Sequence, residues 1–163
     1  MKKTMVLLSL SLTLSAGSFS AGNMGIGLTV GSGSVSYSSR GIENYFIAGV
    51  GVDYFLIDGL ALGVGYRGWF GGSPTIHQAT VPITYYIPTG KSFRPYAGAF
   101  YRYTDFADSN YESYSSGGVR VGGAMMFEGG YVGFGWVQEY YLDAADQGNS
   151  SSGYPEVVVG FSF

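Results

Sequence analysis

Few side chains in this 163-residue chain could carry chemistry. His77 is the single histidine, and a transfer or hydrolytic reaction would need a hydroxyl nucleophile within its reach and an acid to orient the ring. In Ile76-His77-Gln78-Ala79 the residue two positions on is alanine, and Ser73 has no acidic neighbour. The expectation is a histidine at a loop rim and no enzyme. Asp105, Asp108, Glu112, Asp143 and Asp146 form a second candidate, since carboxylate oxygens hold Ca²⁺ or Mg²⁺. Their spacing matches no EF-hand loop and suits solvated surface, so no metal site is expected. Gly63-Val64-Gly65 lies inside an apolar alternation with no helix behind it, which excludes a phosphate-binding loop. No cofactor is expected. With no cysteine, the fold uses neither disulfides nor thiolate ligands.

The other charged residues take their meaning from a period of two. Apolar side chains recur at every second position near residues 24–33, 44–56, 59–70, 76–87, 95–106, 117–128, 130–142 and 153–163, the pattern of strands with unlike faces. One phase reads Ile26, Leu28 and Val30, then Phe46, Val50 and Tyr54, then Leu62, Val64 and Tyr66, and continues to Phe134, Trp136 and Tyr140. The opposite phase carries Asp53, Arg67, Arg102, Arg120, Glu128, Glu139 and Glu156 among many glycines. In a closed cylinder these seven would face the lumen. Arg67, Arg102, Arg120, Glu139 and Glu156 would stand at similar heights, so one hydrogen-bonded charge layer is expected. Pro82 lacks a ladder donor and predicts a bulge or a register shift in its strand.

The connections alternate in length. Ile57-Asp58-Gly59 and Glu128-Gly129-Gly130 are tight and 88–94 is moderate, whereas 34–43, 71–75, 107–116 and 143–152 are mostly longer and rich in Ser, Gly, Asn and Asp. The prediction is an all-β, eight-stranded antiparallel up-and-down transmembrane β-barrel, whose closure pairs the backbone groups an open edge would leave unsatisfied in lipid. Composition agrees with a lipid-facing wall. Charged residues are 12% of the chain and hydrophobic ones 46%, against the roughly 25% charged that a water-facing surface wants.

Met1-Lys2-Lys3, an apolar run from Met5 to Leu14 and small residues to Ala21 read as a secretory signal peptide, too short for a membrane helix. Cleavage near Ser18 or Ser20 would divide the chain into a leader, 1–20, and a barrel, 21–163. Eleven acidic residues face eight basic ones, and losing Lys2 and Lys3 tips the balance further, which argues against a nucleic-acid partner.

The leader, the alternating segments, the uneven connections and the final Val157-Val158-Val159-Gly160-Phe161-Ser162-Phe163 together resemble the small eight-stranded outer-membrane barrels of Gram-negative bacteria, the OmpA-transmembrane and OmpX-like group. The resemblance covers the whole mature chain and is architectural. It implies a monomer in the outer membrane, in contact with outer-membrane lipids. It also implies that Phe161 and Phe163 act as the terminal signal read by the barrel-assembly machinery. A structural or surface-interaction role is expected, with 34–43, 107–116 and 143–152 as the surfaces offered to an external partner and Tyr37, Tyr111 and Tyr114 as their rings. A small-solute channel and a lipid-modifying enzyme are the alternatives.

Overall fold

In the computed structural model, residues 6–14, 19–37, 41–107, 111–127, 130–142 and 151–160 are described. Nine strands are found there: β1 (Val6–Leu14), β2 (Met24–Tyr37), β3 (Gly41–Ile57), β4 (Leu60–Phe70), β5 (Thr75–Tyr86), β6 (Phe93–Ala107), β7 (Tyr114–Phe127), β8 (Gly130–Tyr141) and β9 (Ser151–Gly160). From β2 to β9 each strand pairs antiparallel with the next, giving eight up-and-down strands in a nearly closed barrel. This is the predicted architecture, and each strand centre falls where the alternation placed it.

Three local outcomes differ. The Ser- and Gly-rich stretch 34–43 is largely hairpin, because Ser36 pairs with Ile42 and Tyr37 with Gly41. Polar residues end the apolar face there without ending the backbone ladder, and likewise β7 and β9 begin inside the expected loops 107–116 and 143–152. Pro82 causes no shift. Leu62 pairs with Ile83 and Gly65 with Thr80 in one unbroken register, so the missing donor opens only a short gap opposite Gly63 and Val64. The irregularity falls instead between Phe55 and Ile57, beside the tight turn.

Unexpectedly, β1 lies in the seam between β2 and β9. It pairs antiparallel with β2 over its whole length and parallel with β9 at only three positions, Leu10 to Leu12 against Val157 to Val159. The sequence permits this because Leu8, Leu10, Leu12 and Leu14 alternate with Ser9, Ser11 and Thr13, a strand pattern inside the stretch read as a leader. Phe161, Phe163 and Glu128 lie outside the described residues.

The two faces of the wall separate sharply. Val64, Tyr66, Val81, Tyr101, Val121, Met125, Phe134 and Trp136 are all exposed on the outside. Inside, the Tyr96 ring lies over Gly122 and Gly135 and the Phe100 ring over Gly118.

Candidate functional site in the barrel interior

The interior is built in layers. At the tight-turn end Phe55 of β3, Ala61 of β4, Tyr86 of β5, Tyr96 of β6, Ala124 of β7 and Tyr131 of β8 pack with Phe19 into a buried aromatic cluster. Tyr86 and Tyr131 meet through their hydroxyls at 3.2 Å. At the loop end Tyr45, Ile47, Trp69 and Ile76 form a second cluster with Phe106 against it. Trp69 is fully buried, and its indole Nε1 donates to Gln78 Oε1 at 3.1 Å, which satisfies the ring's one donor.

Between these clusters lie the charges. Arg102 of β6 reaches across β7 to β8, where its Nη1 donates to Glu139 Oε2 at 2.8 Å. The second carboxylate oxygen accepts from Ser116 Oγ at 2.6 Å, and the Tyr154 hydroxyl donates to Oε2 at 3.2 Å. Arg102 Nε donates to Thr80 Oγ1 at 3.2 Å, and the guanidinium lies 4.9 Å over the Phe100 ring. Thus β5 to β9 all contribute to one ion pair, leaving its buried charges well satisfied.

Closer to the tight-turn end a second pair repeats the scheme. Arg120 Nε donates to Glu156 Oε1 at 3.0 Å, and the Tyr96 hydroxyl donates to the same oxygen at 2.8 Å. The wall beneath is bare: Gly122 and Gly135 are direct partners on β7 and β8. A Cβ at Gly135 would sit 2.3 Å from the Tyr96 hydroxyl oxygen, so this glycine is what lets the tyrosine cross to Glu156. Gly135→Val should therefore lower the unfolding free energy by about 1–3 kcal/mol through overpacking. Urea titration of the folded protein measures it; an unchanged midpoint would place Tyr96 elsewhere.

A cavity of about 160 Å³ lies among these groups, lined by Asp53, Arg67, Thr80, Arg102, Arg120 and Glu156 among others. Of the five residues expected in one charge layer, four form two ion pairs and Arg67 stands apart, as does Asp53, the sixth described lumen charge. Among the described residues neither Asp53 nor Arg67 makes a salt bridge. Asp53 instead lies over Gly63, with Oδ1 where a Cβ would have to go. The sequence reading placed all six described charges inside but missed the inner rings Trp69, Tyr86, Tyr96, Phe100, Tyr131 and Tyr154. Their position was readable, because Trp69 shares the phase of Arg67, Tyr96 and Phe100 that of Arg102, and Tyr154 that of Glu156.

No protein-family model, curated protein or solved structure matches this chain.

The other candidates are scattered. His77 is the third residue of β5, beside the loop end, with its Nδ1 2.5 Å from the Tyr66 hydroxyl and the Phe70 ring edge-on at 6.4 Å. Asp105 Oδ1 accepts from Ser113 Oγ at 2.5 Å. Asp108, Asp143 and Asp146 lie outside the described residues, and among those described no three His, Asp or Glu side chains gather as metal ligands. Of the loop tyrosines, Tyr111 and Tyr114 both pack onto Phe106, and Tyr114 also meets Tyr141 edge-on at 5.5 Å. Tyr114 thus belongs to the interior of the loop end. Only Tyr111 of that pair is an exposed ring.

Proposed function

We propose that the chain is an integral outer-membrane β-barrel of a Gram-negative envelope, exported by a cleaved leader, with a polar, plugged interior and a structural or surface-interaction role. The observation that carries this reading is the inversion of the barrel. Large apolar side chains cover its outside, while the ion pairs lie inside. In water such a continuous apolar belt would associate or aggregate; in a bilayer it is the solvated face. Strands β2 to β9 are 10 to 17 residues long, sufficient for the roughly 9–11 residues a tilted strand needs to cross the hydrocarbon. Outer-membrane lipids are the partners of the belt, and the loop end is the surface offered to any external ligand. The barrel-assembly machinery is the partner the terminal strand calls for.

The two tryptophans test the inversion directly, because Trp136 is exposed outside and Trp69 is buried inside. In vesicles of brominated-chain lipid, Trp69→Phe protein, which keeps Trp136, should lose most of its fluorescence, whereas Trp136→Phe protein, which keeps Trp69, should lose little. Equal quenching of both would overturn the reading. Aromatic clusters above and below the cavity favour a closed lumen over a small-solute channel. Planar-bilayer recordings should accordingly give no steady conductance, and a steady charge-selective one would transfer the assignment to the channel.

A further inference from the structure

The residues just before β2 are part of the barrel. Phe19 is 3% exposed and stacks on Tyr86 with ring centroids 4.2 Å apart. It meets Phe55 edge-on at 5.3 Å and Tyr131 at 5.0 Å, and the Arg94 guanidinium lies 5.1 Å over its face. The backbone is fastened as well. The Gly59 N–H in the tight turn donates to the Phe19 carbonyl at 2.7 Å, and the Gly22 N–H donates to the Phe55 carbonyl at 2.8 Å. The Phe55 N–H returns a bond to the Asn23 carbonyl at 3.0 Å, and the Ala21 N–H donates to Asp58 Oδ1 at 2.9 Å. Gly22, at φ 86°, makes the bend that turns this strap under the β3–β4 turn.

We propose that the leader is removed by a cut after Ser18, which makes Phe19 the first residue of the mature chain and its ring the cork of the tight-turn mouth. This rests on the export reading given above. The sequence reading offers two cuts that fit the small-residue rule: after Ser18, with Ala16 two positions earlier, and after Ser20, with Ser18 two positions earlier. Only the first keeps Phe19. The second would leave a void bordered by Phe55, Tyr86 and Tyr131 and would strip the Gly59 N–H of its acceptor. The step is a hydrolysis: water adds across the Ser18–Phe19 peptide bond, leaving a carboxylate on Ser18 and an amine on Phe19. Because Phe19 is buried in the folded barrel, the cut precedes folding. It also removes β1, whose short parallel contact is the weakest join in the wall. Strands β2 and β9, both joined to β1 but in opposite senses, run antiparallel to each other and can then close eight strands directly.

The test is to express the full chain in an exporting Gram-negative host and determine the intact mass and amino-terminal sequence of protein recovered from the outer-membrane fraction. A chain starting at Phe19 is expected. A start at Ala21, or anywhere else, overturns the proposal while leaving the export reading intact. Absence from the membrane fraction with the leader uncut overturns both. The cork is tested separately by urea unfolding of exported Phe19→Ala, whose unfolding equilibrium constant should rise about 100-fold. If that variant does not assemble, Phe19→Leu, which keeps most of the volume, should show a rise of about tenfold. Unchanged unfolding of either variant overturns the cork even where the cut site is right.

Discussion

Replacing Arg102 by alanine lowers the unfolding free energy by about 3–5 kcal/mol, because it abandons a buried carboxylate. Glu139 is 4% exposed and takes its charge-assisted bond from Arg102. Without the guanidinium, only the Ser116 and Tyr154 hydroxyls are left to hold it. Arg120→Ala should cost less, since the side chains of Arg120 and Glu156 are 17% and 14% exposed, against 10% and 6% for Arg102 and Glu139. Water reaching the more open pair compensates for part of the lost partner. The ordering is measured by urea titration of both variants in vesicles, with Lys91→Ala in an exposed turn as the control. Equal losses for Arg102→Ala and Lys91→Ala would mean that the layer is hydrated and contributes no stability. The double variant Arg102→Ala/Glu139→Ala should recover part of the loss of the single one, because it removes the stranded charge itself.

The second large effect belongs to the loop end. Trp69→Ala should lower stability by about 3–5 kcal/mol, the usual cost of deleting a large buried ring. Trp69 has no exposed surface, meets Tyr45 edge-on at 5.9 Å and is tied to Gln78. Its loss also frees Gln78, whose amide Nε2 donates to Thr104 Oγ1 at 3.4 Å, so the polar layer beneath loosens with the cluster above it. Trp136→Ala on the outside should cost clearly less, since Trp136 is half exposed and on the membrane reading proposed above lipid tails would refill the space a side chain leaves there. If the outer substitution proved the more damaging, the inside and outside of the wall would have been exchanged.

Most of this barrel is legible in the chain because strands obey a local rule. Val81, Ile83 and Tyr85 alternate with Thr80, Pro82 and Thr84, and a period of two admits only one division of such a segment into faces. That rule located Asp53, Arg67, Arg102, Arg120, Glu139 and Glu156 inside. It was less informative about partners. Arg102 and Glu139 are 37 residues apart and sit on strands separated by β7, so their meeting depends on reach across a curved wall. The glycines illustrate the same limit. Gly122 and Gly135 look like vacancies in the sequence, but register sets them side by side, and Tyr96 from the next strand fills the space over both.

The amino-terminal region exposes a different limit. Two patterns overlap there: an apolar run flanked by Lys3 and small residues, and a Leu–Ser alternation able to pair as a strand. On the export reading proposed above, sequence rules rank Ser18 and Ser20 equally as cut sites. Only packing separates them, because the value of Phe19 lies in Tyr86, Phe55, Tyr131 and Arg94, which are remote in the chain and adjacent in the folded mouth.

The eight strands β2 to β9 and the sign of each face were determined by the sequence itself, since each follows from residues within a few positions of one another. The tertiary structure alone decided how six interior charges divide into two pairs and two lone groups, which rings close the two ends, and where β1 and Phe19 lodge. Those outcomes depend on which side chains a closed wall brings face to face, and that distance is set by register and curvature rather than by separation along the chain.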